Sequence, residues 1–137
     1  MFSLKSTFEQ LLLKQARDHI KFSEIWSDDD YPLGGVHIKP RPPEAKLDSV
    51  ELNMLFLDKI EKNVEGVMNV NVINNHLGRV NELSNVVQMI MEDSLIDGFH
   101  YRKDFYNMFR SGKYIWYHNL RFKISMSKKE FNARYGH

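Results

Sequence analysis

The most constraining feature of this chain is the alternation in the stretch 120–125. Leu120, Phe122 and Ile124 are apolar, whereas the residues between and after them are polar or basic, namely Arg121, Lys123 and Ser125. Successive side chains of a β-strand point to opposite faces of the sheet. The pattern therefore predicts a strand with one apolar face in the core and one basic face towards solvent.

The residues around this strand predict its neighbours. Lys113–His118 reads as the first strand of a hairpin, with a turn near Asn119. The aromatic residues that precede it predict a short helix over about 101–110, which Ser111 and Gly112 end. Ser127 followed by Glu130 has the spacing of a capping box, so a last short basic helix is expected to run to about Arg134.

Three longer helices are predicted from apolar residues at intervals of three and four, over about 4–25, 48–65 and 81–96. Ser6 and Glu9 suit a capping box at the start of the first. Asp48 suits the cap of the second, whose expected apolar stripe is Val50, Met54, Leu57, Ile60 and Val64. Asp97 and Gly98 are expected to end the third.

Two stretches lack a helical pattern. Residues 27–46 contain all four prolines and a Gly-Gly pair, which predicts a connecting loop with a short edge strand or extended segment at Val36–Lys39. In 67–78, Met68, Val70 and Val72 alternate with asparagines, which slightly favours a strand ending at Asn74-Asn75 over a continuing helix.

Together these elements predict one domain, 1–137, of the α+β class. It would have three main helices, a short aromatic helix and a small antiparallel sheet centred on the C-terminal hairpin; a mostly α fold with one hairpin is the alternative. The chain has no cysteine and no apolar run of the length that a membrane span needs, so we expect a cytoplasmic protein with no membrane partner.

Charge is distributed unevenly along the chain. Residues 99–137 carry nine Lys or Arg and two acids, a net +7, whereas residues 1–98 sum to −6. Bases neutralise phosphates and exposed aromatic rings stack on unpaired bases, so this segment predicts contact with nucleic acid, DNA or RNA. The candidate residues are Arg102, Lys103, Arg110, Lys113, Arg121, Lys123, Lys128, Lys129, Tyr114 and Trp116.

The aromatic residues of this segment are expected to divide between the core and the surface. Phe99, Phe105, Phe109 and Phe122 are expected in the core, because large rings supply much of a small domain's burial. Tyr101 and Tyr117 join Tyr114 and Trp116 as candidates for stacking on bases.

The main alternative is an assembly factor, structural component or inhibitor that binds another protein through helix faces and the Pro-rich segment. Clustering of Arg102, Arg110, Lys113, Arg121 and Lys123 on one face would favour nucleic acid. Dispersal, or pairing with Asp28–Asp30 and Glu92–Asp93, would favour a protein partner. The charge asymmetry also makes head-to-tail self-association plausible.

Enzymatic function has weaker support, and we expect no cofactor, no metal and no catalytic residue. Asp30 followed by Glu44 and Lys46 has the order of one class of metal-dependent nuclease, but the prolines before Glu44 do not suit the strand that such a site uses. His100 and His118 are the first pair to consider for metal-independent cleavage of RNA.

Overall fold

The structure is a computed structural model that describes residues 8–21, 35–39, 49–112 and 115–135. Its strands form one six-stranded sheet of order β1-β2-β3-β6-β5-β4, accompanied by three helices within those ranges. The elements are α1 (Phe8–Lys21), β1 (Val36–Ile38), β2 (Ser49–Ile60), β3 (Asn63–Asn74), α2 (Leu77–Met91), β4 (Leu95–Ile96), β5 (Phe99–Ser111), β6 (Ile115–Ser127) and α3 (Lys128–Tyr135).

The sheet is mixed because β1 runs parallel to β2, whereas every other neighbouring pair is antiparallel. Four long strands, β2, β3, β6 and β5, make up most of it. The predicted short edge strand is confirmed at Val36–Ile38. The rest of the predicted loop at 27–46, including Asp28–Asp30 and the prolines, lies outside the described residues.

The predicted fold class is wrong, since the sheet is the main body of the structure and not a small addition to helices. The expected helix over 48–65 is β2 and the start of β3. Val50, Leu52 and Met54 alternate as a strand requires, but a bulge between Met54 and Phe56 inserts one residue, so the next core residue is Leu57. Because of this shift, the apolar residues Val50, Met54 and Leu57 have the three- and four-residue spacing that is typical of a helix.

The expected aromatic helix over 101–110 is also wrong, because these residues belong to β5. A second bulge, between Lys103 and Phe105, again disturbs the alternation. The hairpin is formed by β5 and β6, whose pairing runs to Ser111 opposite Ile115. No turn falls at Asn119, which lies inside the continuous strand β6.

Several expectations are confirmed. Leu120, Phe122 and Ile124 of β6 are buried, and Lys123 on the opposite face is exposed. The alternating stretch after Gly66 is strand β3, which ends at Asn74 as expected. Helix α3 begins where the capping box predicted, with the Glu130 amide donating to Ser127 Oγ over 3.1 Å.

The first and third predicted helices are shorter than their expected ranges or displaced from them. Within 4–25, the described helix is α1, of which Leu12 and Ile20 are buried; the proposed cap at Ser6 lies outside the described residues. The expected helix over 81–96 is α2, which ends at Met91 and is followed by β4. Asp97 (φ 51°) and Gly98 (φ 86°) form a tight two-residue turn between β4 and β5 instead of a helix end.

All three helices pack against one face of the sheet, which we call the inner face. There they share one apolar core with alternate strand residues such as Val70, Leu120 and Phe122. Tyr101 of β5 is fully buried in this core, where burial raises the pKa of its phenol. The opposite face, which we call the outer face, is not covered by any helix of the described residues.

Candidate interaction surface

The outer face is built from the alternate residues of β2, β3, β6 and β5 that point away from the helices. Its rows follow from the strand register, in which Asn53, Asn69, Arg121 and Phe105 are neighbours across the sheet. The next row towards one end of the sheet contains Phe56, Val67, Lys123 and Arg102. The surface therefore combines amide, basic and apolar side chains.

Three of the predicted nucleic-acid residues come together on this surface. Arg102 of β5 lies directly opposite Lys123 of β6, and Arg121 is two residues away from Lys123 on the same strand face. Like charges directly opposite each other destabilise a sheet. Lys123 Nζ lies 3.7 Å from the carboxylate of Asp104, which partly offsets the repulsion, whereas Arg102 makes no ion pair with the described residues.

The other predicted residues that the structure describes do not join this cluster. Lys103 and Arg110 occupy inner-face positions of β5, where their cationic groups lie over the rings of Tyr106 (4.5 Å) and Trp116 (5.4 Å). Lys128 and Lys129 are on α3. Lys113 and Tyr114 lie outside the described residues. The structure thus groups three of the predicted bases and places Lys103, Arg110, Lys128 and Lys129 elsewhere.

An amide network lies beside the bases at the centre of the outer face. Asn119 Nδ2 donates to Asn71 Oδ1 (2.8 Å) and Asn69 Oδ1 (3.1 Å), and Arg121 Nε reaches Asn69 Oδ1 at 3.5 Å. These contacts join β3 to β6 and leave Asn119 only 9% exposed. These asparagines were not among the predicted site residues; the available signal was the alternation of Asn69 and Asn71 with valine in β3.

Apolar rings are exposed on the same face. Phe105 is 52% exposed with the Arg121 guanidinium 6.0 Å from its ring, and Phe109 is 42% exposed and stacked on Tyr117 at 5.2 Å. The prediction that Phe105 and Phe109 are core residues is therefore wrong, whereas that for Phe99 and Phe122 is confirmed.

The aromatic residues that were predicted to stack on bases do not share one exposed surface. Tyr101 is in the core and cannot stack on a ligand, and Trp116 is half-buried at an inner-face position. Tyr117 is half-buried on the outer face, where its ring already stacks on that of Phe109. Phe105 is the aromatic ring that the outer face exposes most.

The outer face is electrically divided. The β5–β6 half carries Arg102, Arg121 and Lys123, whereas the outward residues of the β2–β3 half include the acids Glu51, Asp58 and Glu65. A shallow hollow lies between the two halves, lined by Phe56, Ile60, Glu65, Arg102 and Lys123. The face therefore changes from acidic to basic across the sheet.

The enzymatic candidates are not assembled among the described residues. His100 is on the outer face and His118 on the inner face, where burial lowers the pKa of its imidazole. Asp30, Glu44 and Lys46 lie outside the described residues. No group of three or more His, Asp or Glu side chains suited to a metal occurs in the part of the chain that the structure describes.

Tyr106 fastens the middle of β5 to the end of α2. Its hydroxyl donates to Glu92 Oε2 over 2.9 Å, and burial together with this hydrogen bond and the charge of Glu92 raises the pKa of the phenol. Glu92 is therefore engaged by a tyrosine, and no ion pair between Glu92 and a base of residues 99–137 is present among the described residues.

Comparison with known proteins identifies a fold and not a family. No protein-family model matches the chain, and no curated protein is similar to it. Its structure is similar to a chain in the solved virion of a native gene transfer agent particle, with a TM-score of 0.68 and 12% sequence identity over 85% of this chain and 94% of that chain. At this identity the similarity shows a shared fold.

Among the described residues, no helix is both long and apolar enough to cross a membrane.

Proposed function

We propose that this chain is a non-enzymatic subunit of a protein assembly and that it docks on other proteins through the outer face of its sheet. The observation that carries the proposal is the exposure of apolar side chains on a sheet face that no helix of the described residues covers. Phe105 lies on that face beside Arg121, and Phe109 lies further along the same face; aromatic residues with arginine are characteristic of protein-binding sites.

The arrangement of polar groups supports the same role. The amide network of Asn69, Asn71 and Asn119 fixes the centre of the face and reduces the flexibility that binding would have to restrict. The acidic and basic halves supply electrostatic orientation at the rim. A rigid platform with exposed rings and divided charge suits a specific, oriented contact with another protein.

The structural neighbour supports the class of role. That neighbour is a chain of a virion particle, and a particle is assembled from many subunits. A fold that serves within one assembly is a plausible scaffold for a component of another, although fold alone does not determine function. The proposal therefore depends on the outer face, and the neighbour agrees with it.

Nucleic-acid contact is a second candidate, which the grouping of Arg102, Arg121 and Lys123 favours. These bases could neutralise phosphates, and the exposed ring of Phe105 beside them could stack on an unpaired base. Fewer residues form this candidate site than the sequence predicted, because Arg110, Lys103 and Trp116 are not part of the same surface.

Photo-crosslinking in the native cell tests both candidates at once. We replace Phe105 by a photoreactive phenylalanine analogue and, as a matched control, place the same analogue at Met89, which is 83% exposed on α2. We expect protease-sensitive adducts from position 105 and few from position 89. Adducts from 105 that only nuclease removes would support the second candidate instead. Equal adducts from both positions, or none from 105, would contradict both.

A further inference from the structure

We propose that the partner seated at one edge of the sheet is a second copy of this chain, which adds its β2 edge to the β5 edge so that successive sheets join head to tail. This inference rests on the proposed function, in which the chain is a subunit of an assembly, and adds a contact at the sheet edges to the contact through the outer face. It is carried by three features of the two edges: their length, their direction and their charge.

Among the described residues, both edges of the sheet are paired over only part of their length. On one side, β4 pairs with Phe99 and His100, and none of the described residues pairs with the outer edge of β5 from Arg102 to Ser111. On the other side, β1 pairs with Val50–Leu52, and no described residue pairs with the outer edge of β2 from Asn53 to Ile60. Two edges of similar length thus present backbone groups to a further strand.

The hydrogen bonds at the paired ends indicate which backbone groups face outward. The Tyr101 amide donates to Ser94 O (2.9 Å), and the Tyr101 carbonyl accepts from the Asp93 amide (2.8 Å). In an antiparallel ladder this orientation recurs at alternate pairs. Continued past the bulge, it directs the amides of Tyr106 and Met108 to the open edge.

The same reasoning applies to β2. Its Val50 amide donates to Gly35 O, and its Leu52 carbonyl accepts from the Lys39 amide, each over 2.8 Å. The backbone amides and carbonyls of Met54 and, past the bulge, of Leu57 therefore also point towards the open edge. Each open edge thus offers alternating donors and acceptors that another strand can pair with.

Strand directions suit a head-to-tail contact. Each step from β2 to β3, from β3 to β6 and from β6 to β5 reverses the chain direction, so β2 and β5 of one molecule are antiparallel. A second copy in the same orientation therefore brings its β2 antiparallel to the first copy's β5. The outer faces of the two copies then form one continuous surface.

Charge disfavours a symmetric contact between two β5 edges. The β5 edge carries Arg102, Lys103 and Arg110 with only Asp104 as an acid, so two β5 edges would repel each other. On the outer face of β2, Asp58 lies within the open edge and Glu51 lies within the part that pairs with β1, whereas Lys59 occupies an inner-face position. Pairing β5 with β2 places the basic half of one outer face beside the acidic half of the next, which is a heterologous interface.

A charge exchange tests the arrangement in solution by sedimentation velocity across a range of protein concentrations. We expect the wild-type chain to self-associate at low salt and to dissociate substantially at about 0.5 M salt. Asp58→Lys and Arg102→Glu should each weaken association about tenfold or more, which corresponds to about 1.4 kcal/mol. An equimolar mixture of the two variants should regain association, because each supplies the edge that complements the other.

A backbone variant tests the edge itself. Met108→Pro removes an amide that faces the open edge and leaves the hydrogen bonds to β6 in place, so it should abolish association while the circular dichroism spectrum stays that of the folded chain. Met89→Ser, on the exposed side of α2, should leave association unchanged. If the proline variant does not fold, the charge-exchange experiment by itself tests whether the two edges pair.

Three results would overturn the inference: a wild-type chain that stays monomeric at low salt, association that neither charge variant weakens, or a mixture that does not recover. A monomeric chain that still forms protein adducts at position 105 would reject self-pairing and leave the proposed function standing. Absence of those adducts as well would reject both.

Discussion

Phe122→Ala should lower the free energy of unfolding by about 3–5 kcal/mol, a large part of the stability of a domain of this size. Phe122 is fully buried at the middle of β6, the strand between β3 and β5. Its ring lies 6.2 Å from that of Tyr101 and 5.7 Å from that of Tyr106, both on β5. The truncation removes apolar contact and leaves a cavity at the junction of strands and helices. Urea unfolding followed by circular dichroism measures the effect.

Phe105→Ala is the matched control. The same truncation on the outer face removes a ring that is already 52% exposed, so the free energy of unfolding should change by less than about 1 kcal/mol. Equal losses of stability in the two variants would contradict the assignment of inner and outer faces.

Gly66→Ala should lower the free energy of unfolding by about 1–3 kcal/mol, although alanine is ordinarily better tolerated than glycine inside a strand. Gly66 of β3 lies opposite Leu57, next to the bulge in β2. A Cβ atom at this position would lie 2.5 Å from the carbonyl oxygen of Phe56 and 3.1 Å from the Leu57 side chain. Because the nearest obstacle is backbone, the bulge would have to move. Thermal unfolding measures the loss.

Gly78→Ala is the corresponding control on α2. A Cβ atom there meets nothing within 4 Å, so the substitution should raise the free energy of unfolding by up to about 1 kcal/mol through helix propensity. A Gly66→Ala variant as stable as the wild-type chain would show that the bulge is not held at the position described here.

The strands that follow simple alternation could be predicted from sequence. Leu120, Phe122 and Ile124 in β6 and Met68, Val70 and Val72 in β3 keep one phase throughout, because these two central strands pair with each other without a bulge. The end of β3 at Asn74 and the Ser127 cap of α3 were likewise local signals, carried by side chains that hydrogen-bond to neighbouring backbone.

Strands β2 and β5, which flank the central pair, could not be predicted in the same way. Each bulge inserts one residue, Leu55 in β2 and Asp104 in β5, and thereby moves the apolar residues to a new phase. The pattern that results in β2 has the spacing of a helix. Sequence periodicity alone cannot separate a bulged strand from an amphipathic helix, because the bulge is fixed by pairing with a distant strand.

The candidate surface was predicted in part for the same reason. Arg121 and Lys123 belong to a strand without a bulge, so their common face was correctly anticipated. Phe105 follows the bulge in β5, and its exposed position was missed. The acidic half of the outer face lies on β2 and β3, and the erroneous helix over 48–65 concealed it.

Site-specific thiol labelling tests most directly the claim that the outer face is open in the isolated chain and covered in the assembly. The sequence contains no cysteine, so Asn107→Cys on the outer face and Asn81→Cys on α2, both at exposed positions, each supply one reactive thiol. We predict that both react rapidly with a maleimide in the purified chain. In extracts of the native host, the thiol at position 107 should be protected and that at position 81 should not. Equal reactivity of the two positions in the extract would contradict the account.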